Sequence, residues 1–171
     1  TPPEPFTTQT DAELGQYRAR IETTMGAFTI EFLADKAPGH VRAFLRLAEL
    51  GVYTGTAFHR VKPGFVVQAG LTSTRATPLT ERQRKWVTNL PPEFNDTPHV
   101  RGTVTMARLQ APDSAQTSFF MVLAPQPSLD RQYTVFGRVV DGMAVIDAME
   151  KVPVDGETPV TRIEITGIRI L

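Results

Sequence analysis

The sequence predicts a mostly β fold: a closed eight-stranded antiparallel β-barrel capped by two α-helices. Three observations lead there. Fourteen prolines and twelve glycines are spread along 171 residues, so turns recur between short elements. Most apolar runs are only four to seven residues long, the length of strands. Only two segments carry helical spacing, and a sheet closed on itself, with helices over its open ends, is the economical home for the rest.

The elements follow in order. Residues 1–16, with three prolines and few large apolar groups, read as an extended arm with one helical turn near Asp11–Gly15. The folded domain is expected over 17–171. Tyr17–Thr24 and Ala27–Leu33 are strand-like runs meeting at Met25-Gly26, a hairpin pattern. In the next segment Val41, Phe44, Leu45 and Ala48 recur at helical spacing between Pro38 and Gly51, which marks a helix with its start and stop. Strands are expected at Phe58–Val61, Phe65–Gln68, Gly102–Met106, Ser118–Leu123 and Thr134–Val140. A second helix follows at Met143–Met149, and a last strand within Val160–Leu171.

Composition narrows the function. Eighteen basic residues balance eighteen acidic ones, so no global field recruits nucleic acid, and no nucleic-acid partner is expected. Cysteine is absent, which removes disulfides and thiolate metal sites. His40, His59 and His99 lack the spacing of a ligand set, and no phosphate-binding glycine loop or nucleophile elbow occurs. No metal and no cofactor are therefore expected. The stretch 72–88, with Arg75, Arg82, Arg84, Lys85 and Trp86, has no clear period. It reads as a solvated loop, with contact to an anionic partner as the other reading.

One segment is specific. Phe58-His59-Arg60-Val61-Lys62-Pro63-Gly64-Phe65-Val66-Val67-Gln68-Ala69-Gly70 resembles the cyclophilin signature F-H-R-V-x-P-G-F-x-x-Q-x-G. In the right order, Gly102–Ala107, Ser118–Met121, Leu129-Asp130 and Tyr133–Val139 resemble further cyclophilin strands, and the likeness runs from about Tyr17 to Leu171. It implies a cyclophilin-like fold and peptidyl-prolyl cis–trans isomerase activity on proline-containing peptides or unfolded clients, in a bacterial-type member.

The chemistry of that reaction suits the residues. Rotation about an X-Pro amide faces a barrier of ~18–20 kcal/mol because the nitrogen conjugates with the carbonyl. No covalent bond breaks, so neither nucleophile nor metal is needed. As the amide twists, the prolyl nitrogen gains a lone pair that a strong donor can meet selectively in the transition state. The resemblance makes Arg60 that donor, with Phe65 and Gln68 as its catalytic companions. Outside the pattern, Arg60 would read as a surface charge and the two phenylalanines as core. The peptide groove is then expected from Val66, Met106, Ala107, Arg108, Ser118, Phe120, Leu129 and Tyr133. Phe65 and Phe120 would wall the proline pocket, and Leu129 and Met106 would floor it.

Several positions depart from the family pattern. Ser118 stands where many members carry a glutamine, Arg108 where they carry asparagine, and Val66 where methionine is common. Ser128 replaces the tryptophan of cyclosporin-sensitive members, so weak or no cyclosporin binding is expected, and Tyr133 replaces histidine. These changes keep open an alternative: a catalytically weakened proline-binding chaperone or scaffold. A monomer is expected. The start at Thr1, the proline-rich arm and the lack of cysteine lean toward an exported, periplasmic or envelope-associated protein, with the cytoplasm left open.

Overall fold

The computed structural model describes residues 4–171. In chain order the elements are α1 (Asp11–Leu14), β1 (Arg18–Thr23), β2 (Gly26–Phe32), α2 (Pro38–Glu49), β3 (Arg60–Lys62) and β4 (Val66–Ala69). After them come α3 (Glu81–Arg84), β5 (Thr103–Met106), β6 (Phe119–Val122), β7 (Val135–Asp141) and α4 (Met143–Glu150). The small hairpin β8 (Val154–Asp155) and β9 (Thr158–Pro159) precedes β10 (Ile165–Ile170). Short 3-10 turns lie at Thr72–Thr74 and Pro127–Leu129.

The first hairpin shows how alternation builds the sheet. Ala19 and Ile21 of β1 point inward, as do Phe28, Ile30 and Phe32 of β2, while Arg18, Arg20 and Glu22 face out. Thr23 closes the turn: its hydroxyl donates to the Gly26 carbonyl at 2.6 Å and accepts from the Met25 amide at 3.1 Å. On β10 the inward phase changes along the strand. Ile163 and Ile165 are buried, whereas Ile168 and Ile170 are only half-buried. The pairing with β1 slips between Glu22 and Thr23, leaving Thr166 unpaired, and this bulge shifts the alternation by one residue.

Eight strands form one strongly curled antiparallel sheet in the order β10-β1-β2-β7-β5-β6-β4-β3. The expected closed barrel is corrected here: β10 and β3 remain edges. Outer-edge pairing of β3 goes elsewhere, because the Val61 amide donates to the Glu157 carbonyl in the β8–β9 hairpin at 2.6 Å. The chain just before β3 meets the approach to β10 through a single bridge, Ala57 with Glu164. The Phe58 amide to Ile163 carbonyl bond (2.8 Å) and the Ile165 amide to Thr56 carbonyl bond (2.9 Å) flank it. The sheet therefore curls most of the way round and stops as a half-barrel.

α2 packs against β7 and β10, and α4 against β2, β3 and β4. Phe44 of α2 is the hub of the core, with ring centroids 4.9 Å from Tyr53 and 5.5 Å from each of Phe32, Phe119 and Phe136. Truncating such a buried ring costs about 3–5 kcal/mol. α2 begins without a side-chain cap from Ala37. The Glu93 carboxylate, distant in sequence, accepts instead from the Gly39 amide (3.1 Å) and the His40 amide (2.7 Å), satisfying free donors of the first turn.

Of the N-terminal arm, residues 1–3 lie outside the described residues, and the helical turn expected near Asp11–Gly15 is α1. Residues 4–16 are laid against α2. α1 is set by a Thr10–Glu13 capping box and buries Leu14 completely. Arg42 donates to the carbonyls of Phe6 and Gln9, Arg46 donates to that of Pro5, and the Phe6 ring meets Tyr17 edge-on at 5.3 Å. The basic loop belongs to the same construction. Trp86 donates to Glu4 at 2.9 Å beneath the Arg46 guanidinium, and Arg82 and Lys85 lie 3.6 and 3.8 Å from the same carboxylate. Arg75 donates to the carbonyls of Gly51, Val52 and Thr54. These cations tie the loop to its own protein. α3, which no hydrophobic period announced, starts at a Thr80–Gln83 capping box.

Candidate active site

Strand register assembles the site. Arg60 pairs with Gln68 across β3–β4, Gln68 with Phe120 across β4–β6, and Phe120 with Thr105 across β6–β5. Directly opposed residues share a face, so one row carries Arg60, Gln68, Phe120 and Thr105 on the side of the sheet away from the main core. A small separate apolar cluster stands on that side: Val66, Phe120 and Val122, with Phe65, Ala107, Leu129 and Tyr133 packed around it.

These residues enclose a cavity of about 150 Å³, lined by Arg60, Phe65, Val66, Gln68, Ala107, Arg108, Phe120, Leu129 and Tyr133. Phe120 and Tyr133 meet edge to face at 5.6 Å, and the Arg60 guanidinium carbon lies 5.7 Å from the Phe65 ring centre. Arg60 donates weakly to the Gln68 side-chain oxygen at 3.5 Å and closely, through Nε, to Glu157 at 3.1 Å. An adjoining cavity of about 350 Å³ runs past Gln68 and Ser118 to Thr72, Asn89, Leu109 and Gln116.

Nine of the eleven residues expected from the sequence line the smaller cavity. Met106, expected on its floor, is corrected to the core: alternation along β5 turns it to the inner face opposite Phe119, where it is 3% exposed. Ser118 lines the adjoining cavity. Its hydroxyl accepts from Gln68 Nε2 at 3.0 Å and donates to the Ala69 carbonyl at 3.1 Å, which turns the Gln68 oxygen toward Arg60. Arg108 lines the cavity too, but four of its five N–H donors are spent on its own backbone. It donates to the carbonyls of Gln132, Leu109 and Gln110, and its guanidinium sits 4.8 Å over the Tyr133 ring. Gly70 ends the signature for a steric reason. It has φ of +86°, and a Cβ there would lie 2.7 Å from the Thr117 carbonyl oxygen.

Three groups escaped the sequence reading. Glu157 sits 97 residues from Arg60, and no local pattern links them. His99 and Asp130 form a brace behind the pocket. The Asp130 carboxylate accepts from the His99 amide (2.8 Å) and lies 3.0 Å from Nδ1, while Nε2 is 3.3 Å from Thr105 Oγ1. The His99 ring is stacked behind Phe120 and edge-on to Tyr133. Burial pushes its pKa below the ordinary histidine value, against the opposing pull of the Asp130 carboxylate. Asp130 is held below its ordinary value, first by the His99 amide bond. Among the described residues no cluster of three or more histidine, aspartate or glutamate side chains is placed to hold a metal ion. None of the described helices is long and apolar enough to cross a membrane.

Comparison with known proteins places the chain in a family. Residues 18–170 match the family model described as cyclophilin type peptidyl-prolyl cis-trans isomerase/CLD. The chain belongs to that family. It is 42% identical over 145 residues to a peptidyl-prolyl cis-trans isomerase of Arabidopsis thaliana, covering 84% of this chain and 64% of that one. It is 40% identical over 156 residues to a peptidyl-prolyl cis-trans isomerase-like 2 protein of Gibberella zeae, covering 90% of this chain but 26% of that one. The chain thus spans less than two thirds of the length of both these relatives. Its fold is similar to a cyclophilin type isomerase of Cryptosporidium parvum, whose crystal structure was obtained in the presence of the dipeptide Ala-Pro. The TM-score is 0.79 at 26% identity, over 90% of this chain and 98% of that one.

Proposed function

We propose that this chain binds X-Pro segments of peptides and unfolded proteins and catalyses rotation about the prolyl amide. One observation carries the reading: the Arg60 guanidinium, held at Nε by Glu157 and only weakly at Nη1 by Gln68, lines one pocket with Phe65, Phe120, Leu129 and Tyr133. The proline ring enters between Phe65, Phe120, Leu129 and Tyr133, and its burial gives binding without hindering rotation of the preceding residue. Arg60 then donates to the prolyl nitrogen as that atom loses conjugation. The bond forms only in the twisted state and therefore lowers the barrier. Gln68, steadied by Ser118, offers its amide to the peptide backbone and limits the swing of Arg60.

The test is isomerisation of a fluorogenic X-Ala-Pro-Phe peptide by wild type and Arg60→Ala. Loss of a single preorganised donor typically costs about 10²–10³-fold in rate, and a drop of that order is expected with peptide binding retained. Binding of proline peptides by NMR with no acceleration by wild type would replace the enzyme reading with that of a proline-binding scaffold.

A further inference from the structure

The β8–β9 hairpin is stitched to β3 on both sides of Arg60. The Thr158 hydroxyl donates to the carbonyl of His59 at 3.1 Å, and the Val61 amide donates to the carbonyl of Glu157 at 2.6 Å. Between these two anchors the Glu157 carboxylate reaches Nε of Arg60 at 3.1 Å. The hairpin tip at Gly156 is open, with φ of +68° and no atom within 4 Å of where a Cβ would stand, so its body, not its tip, is what docks. The guanidinium thus has Nε taken by Glu157 and Nη1 lightly held by Gln68 at 3.5 Å, while Arg60 itself lines the cavity.

A flexible arginine loses catalytic value through its freedom. Both partners here are partly exposed, at 35% for the Arg60 side chain and 48% for Glu157, so their attraction is screened and contributes little to stability. Its consequence is geometric. A planar fork gripped at Nε can present its Nη edge in only a narrow range of orientations, and preorganisation of that kind is what a transition-state donor needs.

We propose that Glu157 is a positioning residue for the isomerase reaction: by binding Nε it orients the Arg60 guanidinium so that the Nη edge meets the twisting prolyl nitrogen. This rests on the isomerase reading above, and it assigns to the β8–β9 hairpin a part in catalysis that no substrate contact requires. Charge matters less than the acceptor oxygen, so a neutral acceptor keeps part of the effect.

The experiment uses the full chain with Glu157→Gln and Glu157→Ala. Turnover of the fluorogenic peptide is expected to fall about tenfold in the alanine variant and no more than about threefold in the glutamine variant, with KM within about twofold of wild type in both. A side-chain nitrogen NMR spectrum, needing no activity, is read alongside. The Arg60 Nε–H resonance, assigned by its loss in Arg60→Lys, is expected to be resolved and slow to exchange in wild type. In Glu157→Ala it is expected to collapse into the bulk arginine signal. A resolved resonance with undiminished kcat in Glu157→Ala would overturn the proposal, as would a wild-type Nε–H that exchanges like the other arginines. An inactive wild type with the resonance intact would sink the isomerase reading instead, leaving the pairing itself established.

Discussion

Arg108 is a long cation where the family pattern carries a small amide, and its side chain is turned back onto its own protein. Four donated bonds to the carbonyls of Leu109, Gln110 and Gln132 leave it little to offer a substrate carboxylate. What it does is hold the Gln132-Tyr133 backbone to the β5 exit while its charged face lies over the Tyr133 ring. Arg108→Asn is therefore expected to loosen one wall of the proline pocket. KM for the fluorogenic peptide should rise about threefold with kcat within about twofold. Retention of tight binding by that variant would show the wall to be held by Phe120 and His99 alone. Ser118 acts in the same indirect way, through Gln68.

At the scale of elements, α2 depends on a group far from it in sequence. Glu93 accepts from two amides of its first turn, and its carboxylate lies 2.6 Å from His40 Nδ1. Burial works to raise the Glu93 pKa, but the bonds from His40 and the two amides outweigh it and hold the carboxyl below its ordinary value. The unfolded chain therefore binds the proton more readily than the folded one. The stability this group contributes is present above its ordinary value of 4.5 and is lost as pH falls through the lower, folded value. Denaturant midpoints measured from about pH 6 to about pH 3 should fall less steeply in Glu93→Gln than in wild type. At neutral pH that variant should be less stable by about 1–2 kcal/mol, the usual cost of a lost cap. Equal slopes would assign acid sensitivity to other carboxylates. The signature strands are placed by the same kind of constraint: Gly70 must be glycine because β6 passes too close for any side chain.

The whole molecule is a half-barrel whose outer face carries the groove, with residues 4–16 strapped across α2 on the far side of the core. Phe6, Leu14 and Glu4 give that strap its apolar and polar holds. The pocket is lined by residues from Arg60 to Tyr133, all of them outside the strap. Deleting residues 1–9 removes the hydrogen-bond acceptors of Arg42, Arg46 and Trp86, so it is expected to cost about 1–3 kcal/mol in a urea titration. Turnover of the peptide substrate should be unchanged. A fall in kcat with no change in stability would mean that the strap reaches the groove through α2.

Sequence alone determined most of the elements and most of the pocket. Local signals suffice where the physics is local: alternation for β1 and β2, helical spacing for α2, and a thirteen-residue pattern that holds Arg60, Phe65 and Gln68 on two paired strands and the turn between them. Even the face of Met106 was within reach, since it alternates with Thr105 and so points away from Phe120. Tertiary structure alone decided what depends on contacts between distant residues. The sheet ends at β3 and β10, with the β8–β9 hairpin rather than β10 bonded to β3. Residues 4–9 are docked because Arg42, Arg46 and Trp86 await them. Arg60 is paired with Glu157 because a hairpin 97 residues away folds back beside it. Such partners leave no period or spacing in the chain, since nothing but the fold brings them together.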